Sequence, residues 1–66
     1  MKIQLNGKEK EIDGRISLTD LIDELQLKNS PIVAELSGKI IKPEDYSSTI
    51  LENGNIVELI RFVGGG

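Results

Sequence analysis

Apolar and polar positions alternate at Ile3, Gln4 and Leu5 and then meet Asn6-Gly7. That dipeptide suits a two-residue turn with positive φ at both positions, so the pattern predicts a hairpin. With Asn6 and Gly7 as its loop, Leu5 faces Lys8, Ile3 faces Lys10, Met1 faces Ile12 and Lys2 sits opposite Glu11. Met1, Ile3, Leu5 and Ile12 then share one face. The lysines of the second strand can lay their stems over the edge of that face, and their charges discourage further pairing, so this strand reads as a sheet edge. After Asp13-Gly14 the period lengthens. Leu18, Leu21, Ile22 and Leu25 fall on one helical stripe, predicting a helix from Leu18 to Gln26 or Leu27. Ser17 is placed to cap it, with Asp20 at the third position of a capping box, and Asn29-Ser30-Pro31 cannot continue it. Glu24 and Lys28 are ordered for an i, i+4 ion pair.

Ile32–Leu36 and Lys39–Ile41 flank Ser37-Gly38 and predict a second hairpin, which Pro43 closes. The stretch from Lys42 to Ile50 has no period and reads as a loop with one helical turn at Pro43 to Tyr46. Tyr46 reads as a cover on the edge of a small core. Glu52 to Asn55 form a further turn before the last strand, Ile56 to Val63. There the alternation partly fails. Val57 and Leu59 occupy one face, but Ile56, Ile60 and Phe62 occupy the other, and Arg61 interrupts the first. A strand apolar on both faces is central or keeps one face for another protein. Scattered exposed apolar side chains on an ordinary surface are the plainer alternative. We expect a docking surface built around Ile60 and Phe62, with Arg61 at its rim.

The predicted order is strand, strand, helix, strand, strand, turn, strand. One helix and one sheet must pack as two layers, an α+β domain in which Leu21, Ile22 and Leu25 cover one sheet face. A right-handed crossover lets the first and last strands lie together at the centre of a mixed sheet of about five strands. This is the ubiquitin-like β-grasp arrangement, expected over residues 1–63 with 64–66 as a flexible glycine tail leaving a central strand.

Composition narrows what such a domain can do. A chain of 66 residues has room for one small core and little for a catalytic cleft. Eight basic against eleven acidic side chains leave a formal charge of −3 with no basic stripe, which argues against nucleic acid. The absence of cysteine and histidine removes disulfides, thiol nucleophiles, imidazole bases and the usual zinc ligands, so no metal site is expected. Asp20, Asp23 and Glu24 lie on the outward side of the helix and read as a solvated face rather than an acid/base pair. No segment has the length and apolarity of a membrane span or the pattern of a signal peptide, and a cytoplasmic carrier, binding or regulatory module is expected rather than an enzyme.

The ordered motifs also resemble a known family. "IVAELSGKIIKPEDY" and "NGNIVELIRFVGGG", together with the Asn6-Gly7 hairpin and the leucine-rich helix, are similar to the ThiS sulfur carriers of thiamine biosynthesis over essentially the whole chain. Two departures fall in the second hairpin: Ser37 stands where the family often has Asn, and Lys42 precedes Pro43 where the family more often has the proline earlier and an arginine after it. The resemblance implies that the carboxylate of Gly66 is adenylated by a ThiF-like adenylyltransferase using ATP with Mg, and is then converted to a thiocarboxylate. It implies a sulfur donor such as a cysteine desulfurase, and a ThiG-like thiazole synthase as acceptor. Gly64 and Gly65 would thread the partner's active site, and no cofactor would be bound by this chain, which lacks the spacing of a phosphate-binding loop around Ser37-Gly38-Lys39. A molybdopterin-synthase small-subunit-like carrier, a ubiquitin-like modifier and a plain β-grasp interaction domain are the alternatives.

Overall fold

The computed structural model describes residues 1–62. It contains β1 (Lys2–Leu5), β2 (Lys8–Glu11), α1 (Leu18–Glu24), β3 (Ile32–Leu36), β4 (Lys39–Ile41), a 3-10 turn at Pro43–Asp45 and β5 (Ile56–Arg61). The strands form one sheet in the order β2-β1-β5-β3-β4, with β1 and β5 parallel at its middle and the other pairings antiparallel. Helix α1 covers one face.

Local chemistry accounts for each element. Asn6 and Gly7 take φ of 50° and 82°, and the β1–β2 register is Lys2 to Glu11, Ile3 to Lys10 and Leu5 to Lys8, as the Asn-Gly turn dictates. Met1 extends the ladder through its exchange of hydrogen bonds with Ile12, 2.8 Å each way. Asn6 has a second task. Its side-chain Oδ1 accepts from the N–H of Leu59 at 2.9 Å, beyond the point where β1 ends, and so satisfies a half-buried ladder donor on β5. At the other end of β1, Asn53 Oδ1 accepts from Lys2 N at 2.8 Å and Gly54 N donates to Lys2 O at 2.7 Å, stitching the Glu52–Asn55 turn to the first strand.

Helix α1 begins as its sequence requires. Asp20 N donates to Ser17 Oγ at 3.1 Å and Ser17 N donates to Asp20 Oδ2 at 3.0 Å, a complete capping box with Asp in place of the usual Glu. It ends earlier than the apolar spacing suggests. Gln26 turns to φ 60°, and the bonds Gln26 N to Asp23 O and Leu27 N to Ile22 O, both 3.0 Å, close a Schellman motif after Leu25. Leu27 therefore belongs to the cap, where it borders the same apolar groove as Ile22. Glu24 is not paired with Lys28, which lies beyond this cap; its Oε1 is 3.5 Å from Lys10 Nζ on β2.

The core lies between α1 and the sheet. Ile3, Ile12, Leu18, Leu21, Ile22, Ala34, Leu51, Val57 and Leu59 are buried, with Met1, Leu5, Leu25, Ile32, Leu36, Ile41 and Tyr46 partly buried against them. Each of the large members contributes about 1.5–3 kcal/mol by leaving water. Leu51 is the addition that periodicity did not reveal. It is fully buried because the segment after the 3-10 turn pairs with the approach to the helix: Ser17 and Ile50 form an antiparallel bridge, and Leu51 N donates to Ile16 O at 2.9 Å. Tyr46 covers the core edge as its position suggested.

Candidate functional site: the end of the central strand and the open sheet face

Alternation along β5 sorts its side chains between two environments. Val57 and Leu59 point to the helix, whereas Ile56, Glu58 and Ile60 point away from it. Phe62 continues the outward series just past the strand, where its N–H donates to Pro31 O at 3.0 Å. Backbone pairing thus holds the chain in extended form up to the last described residue, at the start of β3. Ile60 and Phe62 are 45% and 55% exposed, so the structure brings these two sequence-derived candidates together on the open face. Arg61 is exposed too, but its register partner is Ile32, on the helix side, so it stands at the border of this surface with its side chain on the opposite face. Val63 and the three candidate tail residues, Gly64, Gly65 and Gly66, lie outside the described residues.

The open face is broader than β5 alone. The pairings Val33 with Ile60 and Glu35 with Ile40 carry it onto β3 and β4, and Ile40 is 69% exposed. Ile40 and Val33 escaped the sequence reading. Their signal was the register itself: once Ala34 is placed inward, Val33, Glu35 and the residue facing Glu35 must be outward. No described helix is long and apolar enough to cross a membrane, and four of the exposed large apolar side chains, Ile40, Ile56, Ile60 and Phe62, stand on this sheet face.

A concavity of about 310 Å³ is lined by Thr19, Ile22, Leu27, Pro31, Ile32 and Tyr46 among others, on the helix side of the same chain end. Among the described residues no group of three or more acidic side chains is gathered closely enough to hold a metal ion. The arrangement therefore offers a folded body with one exposed apolar face and a central strand running to that face's edge. Such a face is a surface that another protein can hold.

These features define a ubiquitin-like β-grasp domain: among the described residues, a five-stranded mixed sheet on one helix, with the last strand at the sheet centre and its end at the edge of an open face. The ThiS family model matches residues 3–66, and the chain belongs to the ThiS family, the sulfur carriers of thiamine biosynthesis. The sulfur carrier protein ThiS of Bacillus subtilis is 37% identical over 67 residues, covering 97% of this chain and 98% of that protein. The crystal structure of the thiamine biosynthesis protein ThiS from Geobacter metallireducens superposes with a TM-score of 0.85 at 30% identity, with both chains covered in full. A thiazole synthase of Paramagnetospirillum magneticum is 26% identical over 66 residues; this chain spans 20% of the length of that relative.

Proposed function

We propose that this chain carries sulfur on its last residue: the carboxylate of Gly66 is activated by a partner enzyme, receives sulfur as a thiocarboxylate, and delivers it to the assembly of the thiazole moiety of thiamine. One observation carries the reading. The match to the ThiS family runs through residue 66, so it includes the three glycines that follow the central strand.

The chemistry follows from the reactivity of a carboxylate. Left alone it is a poor electrophile. In the proposed sequence an oxygen of Gly66 attacks the α-phosphorus of ATP, held with Mg by a ThiF-like adenylyltransferase, and pyrophosphate leaves. The terminal sulfur of a persulfide, supplied through a donor such as a cysteine desulfurase, then attacks the acyl carbon and expels AMP, and a thiol reductant cleaves the S–S bond of the resulting acyl disulfide to leave the thiocarboxylate. The thiocarboxylate is consumed by a ThiG-like thiazole synthase, a partner suggested by the long relative that carries a similar segment. In this scheme the chain is a co-substrate of other enzymes and supplies no catalytic side chain. Its lack of cysteine means that no thiol in the carrier can divert the sulfur by exchange.

Glycine suits the tail because it has no Cβ and can follow a narrow channel in backbone conformations closed to other residues. Ordering such a tail opposes docking by roughly 1–2 kcal/mol per residue, so affinity must come from the folded body. Ile60 and Phe62 are the side chains we assign to that contact; Arg61, expected at its rim, turns its side chain to the opposite face. Intact-mass measurement of the protein taken from cells tests the scheme: replacement of one terminal oxygen by sulfur is expected, and an adenylate on incubation with ATP and the activating enzyme. A chain lacking Gly65 and Gly66 should fold and show neither. Normal sulfur transfer by that truncated chain would overturn the proposal.

A further inference from the structure

The open face carries two charges at its centre. The bonds from Ser37 N to Ile56 O, 2.7 Å, and from Phe62 N to Pro31 O, 3.0 Å, mark hydrogen-bonded pairs of the β3–β5 ladder. Between them the register sets Glu35 directly opposite Glu58 and Val33 opposite Ile60, all on the face away from the helix. Like charges directly opposite one another destabilise a sheet. Neither glutamate is relieved by a neighbour, since the ion pairs among the described residues are Lys2 with Glu9 and Lys10 with Glu24. The surroundings are apolar instead. Ile56 and Ile60 flank Glu58 along β5, and Ile40 stands on the far side of Glu35.

The β5–β3–β4 part of this face is apolar around two opposed carboxylates, while its β1–β2 part carries Lys2, Gln4, Glu9 and Glu11; the former has a specific complement, an apolar surface with a cation near its middle. We infer that the open sheet face docks on a partner protein that presents one arginine or lysine, ringed by apolar side chains, to Glu35 and Glu58 together. An arginine fits best, because its planar fork can donate to both carboxylates at once. Docking then removes a repulsion that the free carrier must bear, and the apolar ring excludes water from the new contact. A second copy of this chain is a poor occupant. Packing the face on itself about a twofold axis would bring the glutamate pairs together; Arg61 of β5 lies on the opposite face, and Lys2, on the β1–β2 part of this one, is paired with Glu9.

The inference rests on the carrier reading, and one set of samples separates the two. The probe is the ThiF-like adenylyltransferase of the same organism, titrated calorimetrically with the full chain at low and high salt. The carriers are wild type, Glu35→Gln, Glu58→Gln, the double variant and Phe62→Asp. Each glutamine variant is expected to bind at least about tenfold more weakly at low salt, to lose most of the salt dependence, and to melt no lower than wild type. Wild-type affinity and salt dependence in the double variant, with binding lost in Phe62→Asp, would overturn the cationic contact while leaving the carrier reading intact. Unchanged binding in all four variants would overturn docking through this face. Failure of the wild-type chain to accept adenylate, read by intact mass in the same samples, would remove the carrier reading and this inference with it. A concentration-dependent dimer in sedimentation velocity that disappears in Phe62→Asp would assign the face to a second copy, and so would also overturn it.

Discussion

Neighbouring residues of β5 show how differently the two faces of one sheet are used. Val57 and Leu59 are 0% and 6% exposed, while Ile56 and Ile60, side chains of similar size and chemistry, are 49% and 45% exposed. The first pair belongs to the same buried core as Leu18, Leu21 and Ile22 of the helix and stabilises the fold. The second pair lies on the face that no helix covers and stays about half in water. In a chain this small, apolar area left in water is stabilisation forgone, and a 66-residue domain has little to forgo. The helix-covered face therefore holds the carrier together, and the open face is what it presents.

Substitutions on the two faces should differ in kind. The largest loss is expected on the covered side. Leu51→Ala should destabilise the domain by about 2–5 kcal/mol, because the cavity lies in the middle of the core and a fully buried side chain is removed. Chemical denaturation measures this; a loss under about 1 kcal/mol would mean that the segment after the 3-10 turn is not anchored as described. Asn6→Gly should have an intermediate effect, because it keeps the positive-φ turn but leaves the Leu59 N–H without its acceptor, at a cost of about 1–3 kcal/mol. Asn6→Asp retains the acceptor and should restore most of that loss. Ile60→Ala, on the open side and one residue from Leu59, should change stability by less than about 0.5–1 kcal/mol. A drop there as large as at Leu51 would erase the distinction between the faces.

Much of this division was legible in the sequence, and particular residues show why. The Asn6-Gly7 turn fixed the first hairpin and its register, because few dipeptides satisfy two consecutive positive φ values. The failed alternation of β5 marked it as a strand apolar on both sides, and that double character placed it at the sheet centre and exposed Ile60 and Phe62. Three features were hidden because they depend on contacts distant in sequence or on caps without a glycine. The helix stops at Leu25 because Gln26 takes the left-handed position usually given to glycine, and the leucine at 27 prolonged the apparent stripe. Leu51 sits in an aperiodic stretch whose burial comes from pairing with Ile16 and Ser17. Glu24 finds its cation on β2 rather than one turn ahead, a pair that sequence spacing along the helix cannot reveal. The tail glycines were read from the sequence and the family alone, since their chemistry resides in the backbone.

Phe62→Asp probes both roles in one molecule. It puts a charge at the edge of the open face, next to the strand end and away from the core. Its melting temperature and its rate of adenylation by the activating enzyme should be measured on the same preparation. The account predicts a melting temperature close to wild type and adenylation slowed at least about tenfold. Adenylation at the wild-type rate, or a domain that no longer folds, would contradict it.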